Sequence, residues 1–228
     1  MSGKLSIVAT PIGNLEDITL RALRTLKECD LILCEDTKTT KKLLIGYEIK
    51  TRTESFHTHS DKRKLNSIAH KLQTGIHIAY VSDAGTPGIS DPGPFLVREI
   101  QNTLPEVSIE IIPGPDAVSA SLSGAGMIFK EYLFLGFVPQ KKGRQTFLKK
   151  IKDLDYVSVS FESSHRIKKF ITELKTVLET DREVALVKEI SKIHETIIRG
   201  NTQNILDRLI EDPKLEKGEF VVIVEAKK

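Results

Sequence analysis

Residues 81–95 read VSDAGTPGISDPGPF, a stretch rich in glycine and proline that directly follows the apolar run 76–81. Glycine allows positive φ angles and close approach of the backbone to a ligand, whereas proline fixes φ. In α/β proteins, binding loops commonly lie just beyond the carboxyl ends of strands. This stretch therefore predicts a ligand-binding loop at the end of a buried strand.

Two further loops have the same character. TPIGN at residues 10–14 follows the apolar strand Leu5–Ala9, and IPGPDA at residues 112–117 follows a strand over 107–111. Because the carboxyl ends of parallel strands meet at one edge of a sheet, we expect the three loops to form one shared cleft. Gly-rich turns expose backbone donors and acceptors that suit a ligand with several polar groups.

The first half of the chain alternates between strands and helices. Apolar runs predict strands over 5–9, 31–34, 76–81 and 107–112. Helical periodicity lies between them, around 20–26, 37–44, 61–72 and 95–101. The α/β order predicts a mainly parallel sheet covered by helices, in an N-terminal α/β domain over residues 1–114.

The second half brings strands next to one another. Strands are predicted over 132–138, 156–161, 184–190, 195–199 and 219–224, with helices over 117–125, 165–178 and 205–210. This order predicts a mixed sheet in a C-terminal α/β domain over residues 115–228. The last strand ends in the apolar run Val221–Val224, so we expect it to pair on both sides rather than lie at an edge.

Composition excludes several classes of protein. The chain has 228 residues, a net charge of +3 and a pI near 8.7, which fits many enzymes and does not establish nucleic-acid binding. It has no signal-peptide pattern and no apolar run long enough to span a bilayer, so we predict a cytoplasmic protein without a membrane partner. Cys29 and Cys34 are expected to be reduced thiols, and no metal site is predicted. The turn after the first strand lacks the dinucleotide-binding motif G-x-G-x-x-G, and the sequence contains neither a Walker A motif nor a G-x-S-x-G motif.

Acidic residues close to the strand ends are candidates for catalysis. Glu35 and Asp36 end the second strand, where they could take part in chemistry or cap the helix over 37–44. Glu189 and Lys192 lie near the strand predicted over 184–190, where alternating charges on a solvated strand would look similar. His57 and His59 are natural proton acceptors near neutral pH or structural residues.

Lysines and one arginine form two basic clusters. Lys38 belongs to the first, and Lys141, Lys142 and Arg144 lie on a predicted exposed turn in the second. Such clusters bind RNA phosphates in some proteins and are solvated helix faces in many others. The low aromatic content gives no evident platform for stacking single-stranded bases.

Seven blocks of sequence carry a resemblance to a known family. They are VATPIGNLEDITLRAL, CEDTKTTKKLL, SDAGTPGISDPG, IPGPDAVSASLSGAG, FLGFVP, FESSHRI and KEISKIHETIIRG, which extend from Val8 to Gly200. The chain resembles the tetrapyrrole-methylase-like (class III) family of S-adenosylmethionine-dependent methyltransferases, in particular its ribosomal RNA branch. The resemblance implies two α/β domains with the cofactor cleft between them.

The resemblance also implies a set of cofactor contacts. They are Ile12, Asp83, Ala84, Gly85, Thr86, Pro87, Asp116, Ala117, Phe161 and Ile190. Three of them depart from the wider family: Ile12 stands in place of proline, Thr86 in place of aspartate and Asp116 in place of threonine. These departures suit the ribosomal RNA branch and favour contacts through the backbone over contacts through particular side chains.

The activity implied by the resemblance is methylation of a cytidine ribose 2′-hydroxyl in small-subunit ribosomal RNA, either free or in an assembled subunit. Asp36, Glu189 or a lysine of lowered pKa such as Lys192 would accept the proton. Family members are typically homodimers, and many continue into a small helical C-terminal extension; we expect this chain to fold and bind cofactor without one. The alternatives are a methyltransferase acting on a tetrapyrrole or a protein, and a non-catalytic RNA-binding module.

Overall fold

The computed structural model describes residues 3–57, 61–178 and 182–227. The chain folds as two compact units, Met1–Asp116 and Ala117–Lys228. Each unit is built around a five-stranded sheet and has its own buried apolar clusters. None of the helices in the described ranges is long and apolar enough to cross a membrane.

The sheet of the first unit is parallel throughout, with strand order β3-β2-β4-β1-β5. Its strands are β1 (Lys4–Val8), β2 (Leu31–Cys34), β3 (Thr53–Ser55), β4 (His77–Val81) and β5 (Ser108–Ile112). The helices are α1 (Leu20–Glu28), α2 (Thr37–Gly46), α3 (Lys62–Gln73) and α4 (Gly93–Thr103). Because helices cover both faces, the central strands are mostly apolar, and apolar clusters fill both faces.

The edge strand β3 is a strand that the hydrophobic pattern does not predict. Its three residues, Thr53–Ser55, are polar and pair with β2 at one edge of the sheet. Glu54 in this strand forms ion pairs with Lys64 at 2.7 Å and Lys71 at 2.8 Å. Hydrogen bonds from these two lysines hold the pKa of Glu54 at about 2. Charged side chains of this kind protect a short edge strand against pairing with other chains.

The sheet of the second unit is mixed, as predicted, with strand order β6-β7-β10-β8-β9. Its strands are β6 (Tyr132–Phe137), β7 (Val157–Ser163), β8 (Val184–Lys188), β9 (Thr196–Gly200) and β10 (Glu219–Val224). The helices are α5 (Ala117–Gly124), α6 (Arg144–Asp153), α7 (Ile167–Val177) and α8 (Thr202–Glu211). The pair β6–β7 is parallel, and the other three pairs are antiparallel.

The last strand, β10, lies at the centre of this sheet. It pairs with β7 on one side and with β8 on the other, and its residues from Phe220 to Val224 are buried. The prediction that the terminal strand is paired internally is therefore confirmed. Apolar residues of α6, α7 and α8 pack on one face of the sheet, and those of α5 pack on the other.

A buried arginine fixes the end of α6. Arg182 is 2% exposed, and its guanidinium donates to the carbonyl oxygens of Ile151 at 2.8 Å, Lys152 at 2.8 Å and Glu225 at 2.7 Å. The last carbonyls of a helix have no partner within the helix, and a cation there also opposes the negative end of the helix dipole. Arg182 therefore ties α6 to the chain that follows β10.

Candidate active site

The three Gly/Pro loops of the first unit contact one another, as the sequence predicts. Thr10 and Gly85 form an isolated antiparallel bridge, in which Thr10 N donates to Gly85 O at 3.0 Å and Gly85 N donates to Thr10 O at 3.1 Å. Thr86 Oγ1 donates to Pro115 O at 2.9 Å. The loops after β1, β4 and β5 are thus joined at the carboxyl edge of the parallel sheet, where α/β proteins bind ligands.

Gly85 is required at the centre of this arrangement. Its φ is +80°, and a Cβ atom added there would lie 3.0 Å from Ile12 Cγ2 and 3.5 Å from Pro115 O. A side chain would therefore meet both conformational strain and a close contact. Three of the residues predicted to bind cofactor, Ile12, Gly85 and Thr86, lie together here.

Thr10 supplies an unpaired polar atom in the same place. The residue is 1% exposed, and its Oγ1 has no hydrogen-bond partner among the residues that the structure describes. Buried hydroxyl groups are nearly always paired, so an exception calls for an explanation such as a ligand or an ordered water. The hydroxyl adjoins the bridge to Gly85 and can donate to or accept from a polar ligand.

The second half of the 81–95 loop is held by one of its own aspartates, Asp91. Asp91 accepts hydrogen bonds from the backbone N–H groups of Gly88 at 2.6 Å, Ile89 at 3.1 Å and Gly93 at 2.7 Å. Asp83 and Ala84, both predicted to bind cofactor, are exposed, and Pro87 is buried. The loop therefore keeps a fixed shape through internal bonds.

Glu35 has the most perturbed carboxylate of this edge. It is half-buried directly after β2, and burial raises the pKa of Glu35 from 4.5 to about 6. The negative charges of Asp83 and Asp91 act in the same direction, whereas a hydrogen bond with Tyr80 opposes them. A carboxylate whose pKa approaches neutrality is suited to general base catalysis.

Asp36 has a different environment from its neighbour. Its Oδ1 accepts from Lys38 N at 2.7 Å and its Oδ2 from Thr39 Oγ1 at 3.2 Å, so Asp36 is the N-cap of α2. The bond from Lys38 N is the main cause that lowers the pKa of Asp36. Both oxygens are committed to the cap, and the geometry favours this structural role over proton transfer.

Glu189 and Lys192 form part of a closed ion-pair cluster in the turn after β8. Lys192 Nζ lies 3.0 Å from Glu189 Oε1 and 2.9 Å from Glu219 Oε2, and Glu219 N donates to Glu189 Oε1 at 2.8 Å. Burial lowers the pKa of Lys192, but its hydrogen bonds to the two glutamates outweigh burial and raise it. A base of lowered pKa is one of the predicted roles for Lys192, and the raised pKa contradicts that role. Conversely, burial raises the pKa of Glu189, and the bonds from Glu219 N and Lys192 reverse the effect.

This turn has an unusual backbone. Glu189 and Ser191 have φ angles of +51° and +67°, in the left-handed region that residues other than glycine rarely adopt. Strain of this kind occurs often at ligand-binding sites. Ile190 lies between the two residues, so the turn holds this predicted cofactor contact in a defined position.

Three predicted cofactor contacts of the second unit share one apolar cluster. Ala117, Phe161 and Ile190 are half-buried and pack against the same side of the sheet, the side that α5 covers. Asp116 is half-buried and immediately precedes α5. The fold thus brings together residues that are far apart in the sequence, and their role in binding cofactor stays a prediction.

The predicted RNA-binding residues divide into two groups. Lys38, Lys141 and Lys142 are exposed. Arg144, in contrast, is the first residue of α6 and is 5% exposed, so its assignment to an exposed turn is wrong. Its guanidinium lies 2.6 Å from Glu173 Oε2 and 3.8 Å from Glu162 Oε2. These two carboxylates neutralise the charge that the sequence appeared to offer to RNA.

Two remaining features do not join the site. His57 is exposed, and His59 lies outside the described residues. A groove of about 530 Å³ runs along β9 and α8. It is lined by Thr196, Ile197, Ile198, Arg199, Asn204, Asp207, Arg208 and Glu211, none of which is a predicted site residue.

Comparison with known proteins identifies the class to which the fold and the loops belong. Residues 4–206 match the family model of the tetrapyrrole (corrin/porphyrin) methylases, so the chain belongs to this family and is a methyltransferase. Among solved structures, a cobalt precorrin-4 methyltransferase aligns with a TM-score of 0.67 and 18% identity over 96% of this chain and 94% of its own. A uroporphyrin-III C-methyltransferase from Thermus thermophilus, complexed with S-adenosylhomocysteine, aligns with a TM-score of 0.66 and 15% identity over 98% of this chain and 97% of its own. At these identities the likeness shows the fold.

More similar proteins carry one name. The chain is 42% identical to ribosomal RNA small subunit methyltransferase I of Haemophilus influenzae, over 100% of this chain and 80% of that protein. It is 41% identical to the protein of the same name from Thermotoga maritima, over 99% of both chains. The protein of this name from Escherichia coli O157:H7 is 42% identical over 99% of this chain and 79% of its own length.

Proposed function

We propose that this methyltransferase transfers the methyl group of S-adenosylmethionine to the ribose 2′-hydroxyl of a cytidine in small-subunit ribosomal RNA. The observation that carries the proposal is the identity of 41–42% over nearly the whole chain to relatives named ribosomal RNA small subunit methyltransferase I. The matched region includes all the loops and turns of the candidate site. The solved structures of the corrin and porphyrin enzymes support the same fold at much lower identity.

The residues at the edge of the first sheet suit this cofactor. S-adenosylmethionine, when bound, supplies an electrophilic methyl group on a sulfonium. The backbone of Gly85 and Thr86 would contact it, and the unpaired Thr10 hydroxyl offers a polar partner in the same place. Close backbone approach is possible because residue 85 lacks a side chain. The complex of the Thermus thermophilus relative with S-adenosylhomocysteine supports the choice of cofactor.

We assign the proton of the 2′-hydroxyl to Glu35. A 2′-hydroxyl is a weak nucleophile, and a carboxylate that accepts its proton during methyl transfer lowers the barrier. The pKa of about 6 makes Glu35 a stronger base than an ordinary carboxylate, while it stays largely ionised at neutral pH. Asp36, its neighbour, is held as a helix cap, and Lys192 is a cation in an ion-pair cluster. Positioning of the hydroxyl against the methyl group would supply much of the remaining rate enhancement.

The RNA partner would be bound through exposed lysines. Lys38, Lys141 and Lys142 are exposed, and phosphate contacts by such residues give position and salt-sensitive affinity. Free ribosomal RNA and the assembled small subunit are both possible forms of the substrate. We further propose that the enzyme acts in the cytoplasm as a homodimer, as the resemblance implies.

A transfer experiment with several acceptors tests this function. Purified protein and radiolabelled S-adenosylmethionine are incubated separately with small ribosomal subunits, large ribosomal subunits and a uroporphyrinogen. We expect label in the RNA of the small subunit alone. Label in the tetrapyrrole or in ribosomal protein would replace the proposed acceptor. No transfer, together with no calorimetric binding of S-adenosylhomocysteine, would favour a non-catalytic RNA-binding module.

A further inference from the structure

A β-bulge in β6 brings two aromatic side chains onto the same face of the sheet. Phe134 pairs with Val159 of β7, and Phe137 pairs with Phe161, so three steps along β6 match two steps along β7. In a regular strand, residues three apart point to opposite faces. The extra residue places Phe134 and Phe137 on the same face as Phe161.

Gly136 makes the bulge possible. Its φ is +71°, and a Cβ added at this position would meet no atom of the described residues within 4 Å. Space therefore does not require glycine here, whereas the left-handed backbone does. Bulges of this kind occur frequently beside active sites, where they redirect side chains.

The bulge produces an aromatic cluster with one open side. The ring centroid of Phe161 lies 5.0 Å from that of Phe134 and 5.2 Å from that of Phe137, in edge-to-face arrangements. Phe161 is half-buried, but Phe137 is 58% exposed. A large aromatic side chain is thus held in a fixed orientation by its neighbours and presents apolar surface.

The exposed ring is followed directly by the basic turn. Lys141 and Lys142 lie in the connection from β6 to α6 and are exposed. The buried Arg144 donates from Nη1 to Pro139 O at 2.8 Å, and this bond anchors the start of the connection. An exposed aromatic ring beside cations that suit phosphates is the combination that single-stranded nucleic acids require.

We propose that Phe137 stacks on an unpaired pyrimidine base of the RNA substrate, while Lys141 and Lys142 contact its phosphates. This inference rests on the proposed function, because it names a residue that holds a base of that RNA. Stacking on an aromatic side chain contributes about 1–3 kcal/mol per base. It also requires the nucleotide to be unpaired, so the proposal predicts a single-stranded target.

A fluorescence titration tests the contact directly. The chain has no tryptophan, so Phe137→Trp introduces a single reporter at the proposed stacking position. Tyr156→Trp, at a residue of the same unit that is 46% exposed, is the matched control. We expect a short oligocytidylate to quench the tryptophan at position 137 and to leave the one at position 156 unchanged. S-adenosylhomocysteine alone should leave both unchanged.

Steady-state kinetics with small ribosomal subunits provide the second test. Phe137→Ala should raise the KM for subunits about tenfold, within the range that loss of one stacked base predicts. Phe137→Trp should keep most of the wild-type value, and Phe137→Leu should not. The KM for S-adenosylmethionine should stay near the wild-type value in all three variants.

Four results would overturn the proposal in distinguishable ways. Quenching by S-adenosylhomocysteine would assign the ring to the cofactor instead of the base. Binding of labelled oligocytidylate without quenching would place the RNA elsewhere. A change in sedimentation of Phe137→Ala would assign the ring to a contact between copies of this chain. If the wild-type protein neither binds oligocytidylate nor methylates subunits, the proposed function fails and the stacking proposal fails with it.

Discussion

The carboxylate of Asp83 accepts a hydrogen bond from the backbone N–H of Asp36 at 3.1 Å, which joins the loop after β4 to the residue after β2. The bond brings the 81–95 loop close to Glu35, whose pKa responds to the charge of Asp83. The loop that we assign to the cofactor and the carboxylate that we assign to the proton are therefore parts of one edge of the first sheet. This proximity motivates the predictions about catalysis.

Replacing Glu35 by glutamine should remove most activity and stabilise the fold at neutral pH. The pKa of Glu35 in the folded protein, about 6, lies above the ordinary value of 4.5, so folding favours the protonated form. The stabilisation is complete below pH 4.5 and is lost as the pH rises through about 6, where ionisation costs stability. Because the group is partly solvated, we expect Glu35→Gln to gain only about 1 kcal/mol above pH 6 and nothing below pH 4.5.

Urea denaturation above pH 6 and below pH 4.5 measures the effect of Glu35→Gln on stability. Profiles of the methylation rate against pH measure its effect on catalysis. The wild-type rate should fall as the pH decreases through about 6, and this acidic limb should be absent from the residual activity of Glu35→Gln. Asp36→Asn is the neighbouring control, which retains a capping oxygen for α2 and should keep the acidic limb. An unchanged profile in Glu35→Gln would show that another group accepts the proton.

A side chain at Gly85 should weaken cofactor binding in a protein that remains folded. Gly85→Val introduces a Cβ 3.0 Å from Ile12 Cγ2 at a φ of +80°, so the added side chain should displace the backbone of Gly85 and Thr86 that we assign to the cofactor. We expect at least tenfold weaker binding of S-adenosylhomocysteine by calorimetry. Gly143→Val is a matched control, because its φ is +84° and its added Cβ has no atom of the described chain within 4 Å.

The left-handed backbone should destabilise Gly143→Val by about 1–2 kcal/mol, as it does Gly85→Val. Gly143→Val should nevertheless keep its affinity for S-adenosylhomocysteine. The comparison separates conformational strain from the local contact. If both variants bind the cofactor as the wild type does, the assignment of the 81–95 loop is wrong.

Removing the exposed lysines of the basic turn should reduce the salt dependence of RNA binding. Each phosphate contact contributes a slope of about −0.7 to −0.9 in a plot of log K against log salt concentration. Lys141→Ala with Lys142→Ala should therefore reduce the slope by about 1.5. The same change at Lys214 and Lys217, two exposed lysines of the second unit, should leave it unaltered. Identical slopes for the two double variants would make Lys141 and Lys142 ordinary solvated residues.

Arg144 should affect stability more than it affects phosphate contacts. Arg144→Met removes the cation that lies 2.6 Å from Glu173 Oε2 and 3.8 Å from the buried Glu162 Oε2, so both carboxylates lose a partner. Breaking one side of a buried ion pair costs about 3–5 kcal/mol. The double variant Arg144→Met with Glu173→Met should recover part of the loss, which urea denaturation would show. A stable Arg144→Met protein with a reduced salt slope would instead return Arg144 to direct RNA binding.

Local sequence signals predict most of the fold and the part of the site formed by the three loops. The strands β1, β2, β4 and β10 are mostly apolar, and the contacting loops after β1, β4 and β5 are marked by glycine and proline. The prediction of a tetrapyrrole methylase fold with one mainly parallel and one mixed sheet is confirmed. Strand β3 could not be predicted, because a short polar edge strand has no hydrophobic period.

The parts that the sequence does not predict depend on contacts between distant residues. Glu35 and Asp36 are adjacent acids, yet burial and the charges of Asp83 and Asp91 raise the pKa of Glu35, while the bonds of a helix cap lower that of Asp36. Arg144 reads as an exposed cation until its carboxylate partners are placed against it. The apolar residues of α6 do carry a helical pattern from which this helix could have been found; they are Phe147, Leu148 and Ile151.

The most direct test of the central claim is to identify the modified nucleoside. Small ribosomal subunits are treated with S-adenosylmethionine and either the wild-type protein or Glu35→Gln, and their RNA is digested to nucleosides for mass spectrometry. The account predicts that 2′-O-methylcytidine increases with the wild-type protein, with roughly a hundredfold lower initial rate for Glu35→Gln, within the usual contribution of a general base. A methyl group on a base, on a different nucleoside or on no nucleoside at all would contradict it.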